Sequence, residues 1–363
     1  MDRHIPQLDG LRGIAVLIVI VGHLLMYDFG LGIERLAPIA PTGVDLFFVL
    51  SGFLITGILW RSRSDERYFL NFYARRALRI WPLYILMLLF MFVVAERWIP
   101  TLRPPPGTPW LVFALYLQDL WYKNGDAMGL ALGVTWSLAI EEQFYLVWPL
   151  GISKLSRAGA SRILVVAIAI APVLRWYLAP DDYINPLCRF DAIAMGSLLA
   201  LWITTRKPKR HTVVSKALIL IGAATFGEVA ALVTGTRHYL NITMMSAMFT
   251  GILALSLESR VFIRTLSVAP LRYTGKVSYC LYLSHMIISM VVMQWMPGSS
   301  GSIRALRGGL ILAGSYGFGT LSWYLFERPI LRMKRYFGNN SSNADESVRG
   351  ALMAQDPQGD VIE

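Results

Sequence analysis

Residues 8–24 read LDGLRGIAVLIVIVGHL. From Gly13 to Leu24 the run is almost wholly Ile, Val, Leu, Ala and Gly, the composition of a helix that crosses a bilayer. Yet Arg12 opens it and His23 sits near its far end, and both are costly in hydrocarbon. Eleven residues at about 100° each make about three turns plus 20°, so the two side chains share one helix face, roughly 16 Å apart along the axis. A shared face predicts that both look into one common polar space inside a bundle.

The whole chain extends that reading. Its 363 residues are 55% hydrophobic and only 16% charged, with a mean hydropathy of +0.50. A soluble domain carries about 25% charged residues, so the composition is that of a polytopic membrane protein. At roughly 20 apolar residues per span the length allows about ten spans and little soluble domain. The net charge of +11 raises nucleic acid as a partner. The cations, however, lie in short loops between apolar runs, the pattern of cytoplasmic loops, so no nucleic-acid role is expected. Cys188 and Cys280 both fall at or inside apolar runs, which gives neither a disulfide framework nor metal-ligand spacing. The N-terminus has the basic-then-apolar look of a secretory signal but no small-residue cleavage site, and it reads as a retained first span.

Runs able to span occur at about 10–28, 44–60, 79–96, 133–150, 162–178, 190–205, 214–234, 239–257, 275–296 and 305–326. An eleventh candidate, WLVFALYLQDLW at 110–121, is only about a dozen residues and ends in Gln118-Asp119. Loop charges arbitrate. With the N-terminus in the cytoplasm and ten spans, the basic loops all lie inside: Arg61 to Arg79, Lys154 to Arg162, Arg206 to Lys216, Arg260 to Arg272, and Arg332 to Arg335. The opposite loops then hold Asp181-Asp182 and PGSSGS. Counting 110–121 as a crossing would invert everything after it. It is therefore expected to be a re-entrant or interfacial helix, and both termini to be cytoplasmic. After Tyr336 the composition turns to Gly, Asn, Ser and Asp, which reads as a disordered tail over 337–363 behind a membrane domain over 1–336.

Polar residues then stand where lipid should be. Arg76 and Arg79 are three apart on a helix and so are neighbours. Flanking arginines commonly snorkel to lipid phosphates, which suffices for Arg75. Arg76 and Arg79 lie deeper, beside Trp81-Pro82, and a guanidinium pair at a cytoplasmic mouth suits a phosphate-rich ligand such as coenzyme A. GVDLFFVLSGFLI places Asp45 and Ser51 in an apolar helix, with Gly52 explained by helix packing alone. TWSLAIEEQFYLVWPL sets Glu141 and Glu142 mid-span, where a carboxylate demands a structural partner or a wet cavity. Arg189 and Asp191 open a later span, His285 lies halfway along another, and Glu327 ends the last one, where a simple helix-end ion pair also fits. The fold expected is all-α, about ten membrane helices around a polar central cavity. A proton-coupled transporter and an enzyme using His as base or acyl carrier both fit such an interior.

Taken in order, LDGLRGIAVLIVIVGH, GVDLFFVLSGFLI, RRALRIWPLY, WSLAIEEQFYLVWPL, RFDAIAMG, SYCLYLSH and LFERP resemble the acyltransferase 3 family, membrane enzymes that acylate hydroxyl groups of sugars and other molecules. The resemblance implies His23 as catalytic base or acyl relay, Arg12 as its companion and Glu141 as the catalytic carboxylate. It implies Arg76 and Arg79 as contacts of an acyl-CoA donor, acetyl-CoA in the first instance, which is a co-substrate and not a bound cofactor. Asp45, Ser51, Arg189, Asp191 and His285 become candidates for the substrate cavity, and no metal is expected. The acceptor implied is a cell-surface or secreted glycan such as an O-antigen, exopolysaccharide or lipo-oligosaccharide. A macrolide-type metabolite is the alternative, and a glycan transporter the reading of another class. The setting implied is the bacterial inner membrane. Some members carry an added hydrolase-like domain; this chain, with only a short polar tail, is expected to be a stand-alone member.

Overall fold

The computed structural model describes residues 5–27, 40–123, 126–178, 184–234, 237–298 and 300–337. Most of the tail expected beyond Tyr336, together with Asp181-Asp182 and Ser299, lies outside them. Backbone amides in hydrocarbon must bond within their own segment, and the apolar runs accordingly become helices. Ten helices of 17 residues or more occur among the described residues. They are α1 (Pro6–Tyr27), α2 (Ala40–Ser62), α3 (Tyr68–Leu89), α4 (Trp136–Lys154), α5 (Arg157–Leu178), α6 (Phe190–Arg206), α7 (Arg210–Thr234), α8 (Arg237–Glu258), α9 (Ala269–Trp295) and α10 (Gly301–Ser322). α3 runs on through a π-helical turn, Phe90–Ala95, and α10 through another, Trp323–Glu327. The ends follow local chemistry. α6 stops at Lys207 in a left-handed conformation with Pro208 behind it, and the Ser300 hydroxyl caps α10 by accepting from the Ile303 amide.

Seven of these helices are long and apolar enough to cross a bilayer: α1, α2, α3, α5, α7, α8 and α9. The protein is therefore a multi-pass membrane protein. The other three fall short for identifiable reasons. α4 carries Glu141 and Glu142, α6 is short and charged at both ends, and α10 is glycine-rich with Arg304 and Arg307.

Side-chain contacts fix relative directions. Tyr68 and Tyr73 donate to the carbonyls of Pro149 and Leu146, while Trp81 reaches Glu142, so α3 and α4 run antiparallel. Ser51 pairs with Glu141 and Thr56 with Trp148, so α2 and α4 run parallel. These directions are those of successive spans with 110–121 left out. That segment forms two short helices, Trp110–Ala114 and Gln118–Trp121, broken at Tyr116, whose φ is +55°. It buries Phe113, Gln118 and Asp119 and leaves Trp110 and Trp121 exposed. Gln143 of α4 donates to both Asp119 oxygens, at 2.8 and 2.9 Å, pinning the segment to the bundle.

Two close crossings set the frame for the polar residues. A Cβ on Gly52 would lie 2.0 Å from the Ile193 carbonyl oxygen, and one on Gly196 2.0 Å from that of Val49, so α2 and α6 meet backbone to backbone. Gly13 and Gly275 do the same for α1 and α9, where added Cβ atoms would lie 2.4 Å from the Leu271 oxygen and 1.8 Å from the Asp9 oxygen.

Candidate active site

The first cavity, of about 110 Å³, lies where α1, α2, α3, α4 and α9 converge. Arg12, Arg76 and Arg79 bring three guanidiniums to it; Ser51, Glu141 and Tyr145 supply its polar wall. Glu141 accepts from Ser51 Oγ at 2.7 Å and from the Tyr145 hydroxyl at 2.9 Å, and those two hydroxyls lie 3.0 Å apart. Two hydroxyl donors on one carboxylate hold it in a single orientation, on the wall of the cavity that Arg12, Arg76 and Arg79 also line. Arg76 also sits 5.8 Å from the centre of the Tyr145 ring. Arg12 is 3.3 Å from Asp9, one turn back. Glu142, adjacent in sequence, points elsewhere: its Oε2 accepts from the Trp81 indole at 3.0 Å. The neighbouring carboxylates thus have different surroundings, and only Glu141 lines the cavity.

His23 lies in a different place. It borders a second, smaller cavity with Met286, Ser289, Arg304 and Arg307. Arg12 and His23 share a helix face, as their spacing requires, but they do not share a cavity. The expectation of one common polar space is corrected on this point, and the physical reason is what fills the interval. Tyr282 of α9 reaches across to α4, its hydroxyl 2.6 Å from Ser137 Oγ and donating to the Val134 carbonyl at 2.8 Å, with Phe47 packed edge-on against its ring. Tyr282 and Ser137 line the first cavity, and the Tyr282 ring centre is 6.0 Å from that of His285. His285 in turn meets His23, with 3.2 Å between Nε2 of His285 and Nδ1 of His23. A tyrosine–serine bridge thus stands between the arginine cluster and the histidine pair.

The remaining charged candidates form buried ion pairs. Arg189, fully buried, donates to Asp45 at 2.7 Å, joining α6 to α2. Asp191 accepts from Arg175 at 2.8 Å and from Thr243 at 2.6 Å, joining α6 to α5 and α8. None of these side chains borders either cavity. Glu327 accepts from Ser322 at 3.2 Å and stands within electrostatic reach of Arg79. Cys188 and Cys280 are both buried. The sequence reading had not singled out Arg175, Tyr145, Ser137 or Tyr282. Arg175 was legible as a charge within an apolar run, but serines and tyrosines are ordinary components of membrane helices and give no such signal.

Outside the membrane spans, Lys334 extends the arginine cluster. Burial, reinforced by Arg79, Arg76, Arg75 and Arg12, pulls its ammonium down to about 7. Asp9, Glu141 and Glu327 offset part of the charge of these five cations, and the excess that remains favours an anionic ligand.

Comparison with known sequences identifies the family. The family model described as an acyltransferase domain matches residues 5–326, a span that takes in every residue of both cavities. The chain belongs to the acyltransferase 3 family. Among curated relatives, the O-acetyltransferase OatA of Staphylococcus aureus (strain NCTC 8325) is 29% identical over 321 residues, covering 80% of this chain and 51% of that protein. The peptidoglycan O-acetyltransferase OatA of Listeria monocytogenes is 27% identical over 361 residues, or 90% and 56%. The putative peptidoglycan O-acetyltransferase YrhL of Bacillus subtilis is 29% identical over 315 residues, or 78% and 48%. The chain thus spans about half the length of the curated relatives it matches. No solved structure matches.

Proposed function

We propose that this acyltransferase 3 member is a membrane O-acetyltransferase that takes an acetyl group from acetyl-CoA on the cytoplasmic side and passes it to a hydroxyl of a cell-envelope glycan. The observation that carries the reading is the convergence of Arg12, Arg76 and Arg79 on the cavity that also holds Glu141. Forked guanidiniums match phosphate oxygens, and a cluster of that charge calls for a polyanion of the kind coenzyme A supplies. The names of the relatives favour a glycan acceptor over a macrolide, and peptidoglycan among glycans. A further member of the bundle's polar set, His23, is the acyl-handling group.

The topology belongs to the same proposal. The seven apolar helices, with α4, α6 and α10, make ten crossings, which puts both ends in the cytoplasm of a bacterial inner membrane. Arg12, Arg76 and Arg79 are then entered from inside, and His23 lies toward the outer face, about 16 Å further along α1.

In the reaction, donor phosphates dock on the guanidiniums and the thioester is carried inward, past Tyr282 once its hydroxyl leaves Ser137. His23 then acts in one of two ways. As base, it takes the proton of the acceptor hydroxyl while that oxygen attacks the thioester carbonyl; the C–S bond then breaks and the imidazolium returns the proton to the leaving thiolate, giving the ester and CoA. As carrier, its own nitrogen attacks, the thiolate leaves and is protonated to CoA, and the acceptor hydroxyl displaces the imidazole. Separate cavities favour the carrier role, because each half-reaction then needs only one substrate near His23. Glu141, fixed by Ser51 and Tyr145, balances the cationic cluster and orients the donor end. The test is to supply acetyl-CoA and a peptidoglycan-type acceptor to membranes holding the protein. Release of free CoA thiol together with an alkali-labile acetyl ester on the glycan supports the proposal. Acceptor movement without thiol release would instead mark a transporter.

A further inference from the structure

We infer that His285 is a positioning residue that sets which ring nitrogen of His23 carries the proton. The inference rests on the reading that His23 handles the acyl group, and it adds to that reading the second imidazole and its direction of hydrogen bonding.

The argument starts from two carbonyls. Nδ1 of His285 lies 2.7 Å from the Tyr282 carbonyl oxygen and 3.2 Å from that of Leu281. Carbonyl oxygens only accept, so Nδ1 of His285 must carry the hydrogen. In the neutral ring Nε2 is then an acceptor. It faces Nδ1 of His23 at 3.2 Å, which obliges that nitrogen to donate. Nε2 of His23 is left with the lone pair, as a base or a nucleophile requires.

The scaffold holding this arrangement is rigid. His285 is 1% exposed, on a helix whose crossing with α1 is locked by Gly13 and Gly275. Its own carbonyl accepts from Ser289 at 2.7 Å. The ring centres of the two histidines are 5.1 Å apart with planes inclined by 38°, so contact is edge to edge through the nitrogens and not by stacking. A histidine retained only for packing needs no acceptor nitrogen aimed at another imidazole. Tyr282, which supplies the carbonyl, also carries the hydroxyl that borders the donor cavity. The orienting chain therefore begins at the partition between the two cavities.

The experiment compares His285→Leu, His285→Gln and His23→Ala, each purified in lipid and checked for folding by size-exclusion profile. The Gln side-chain oxygen can stand where Nε2 stood and accept from His23; Leu cannot. His285→Leu is expected to lower kcat at least about 10- to 100-fold, the loss typical when a partner that orients a functional imidazole is removed, with donor KM nearly unchanged. His285→Gln is expected to recover most of kcat. Nitrogen-15 spectra of histidine-labelled protein give an independent reading. The wild type and His285→Gln should show His23 protonated at Nδ1, and His285→Leu a mixture of tautomers. Full kcat in His285→Leu alongside an inactive His23→Ala overturns the positioning role alone. An unchanged tautomer in His285→Leu, or no recovery in folded His285→Gln, overturns it too. Full activity in His23→Ala would instead overturn the proposed function on which it stands.

Discussion

The ion pair between Asp45 and Arg189 decides whether the charges of α2 and α6 hold the bundle together or meet a substrate. The two are 2.7 Å apart, with side chains 2% and 0% exposed, and Asp191 and Arg175 stand close enough to act on Asp45 electrostatically. The four charges sum to zero. Arg189→Met removes one of them and leaves Asp45 buried with the remaining field unbalanced. Breaking such a pair from one side costs about 3–5 kcal/mol. At about 2–4 °C per kcal/mol, the apparent unfolding midpoint in detergent should fall by roughly 6–20 °C. Removing both partners, as in Asp45→Leu with Arg189→Met, restores neutrality and buries apolar surface, so most of that loss should be recovered, together with acetyl transfer per folded molecule. Thermal scanning by size-exclusion fluorescence measures the first quantity and CoA thiol release the second. A single variant as stable as wild type would refute the energetic argument. A double variant that is stable but inactive would refute the structural role and return these residues to substrate binding.

Other expectations follow from the donor cavity and the crossings. Arg76→Lys and Arg79→Lys keep the charge but lose the fork, and each should raise donor KM by about 10- to 100-fold with folding unchanged, as steady-state kinetics would reveal. Tyr145→Phe removes one of two hydroxyl donors from Glu141, and a loss of about 1.5–3 kcal/mol should appear as a fall in kcat/KM of roughly 10- to 150-fold. Lys334 supplies a pH dependence. Its folded value of about 7 lies below the ordinary lysine value, so between these the unfolded chain binds more protons and stability rises with pH across that window. A phosphate-bearing donor favours the charged ammonium, so donor KM should rise as pH climbs above about 7 and flatten in Lys334→Gln. Gly52→Val places side-chain atoms against the Ile193 carbonyl and should prevent assembly, read as loss of monodisperse protein.

The sequence made the helices legible because hydrocarbon leaves the backbone no other choice. The distribution of basic loop residues set 110–121 apart from the expected crossings, and the antiparallel pairing of α3 with α4 accords with that. Arg12, Arg76, Arg79, Glu141 and Ser51 were legible as polar residues in apolar runs, and they do converge. Two things were not legible. Spacing on α1 placed Arg12 and His23 on one face, but a helix face can be covered along its length by different neighbours. Nothing in the sequence said that Tyr282 and Ser137 would bridge the interval. Nor could a charged residue at a helix end announce whether it meets solvent, substrate or an opposite charge. Asp45, Arg189 and Asp191 read alike in sequence with cavity residues, yet Asp45 pairs with Arg189 and Asp191 with Arg175.

The central claim is that the donor enters from the face bearing Arg76 and Arg79 and the acetyl group leaves toward the other. Sealed vesicles of opposite orientation, given radiolabelled acetyl-CoA on the outside only, test it directly. Inside-out vesicles should release CoA and acetylate acceptor held in the lumen, and Arg76→Gln with Arg79→Gln should abolish both. Equal CoA release from right-side-out vesicles would contradict the account.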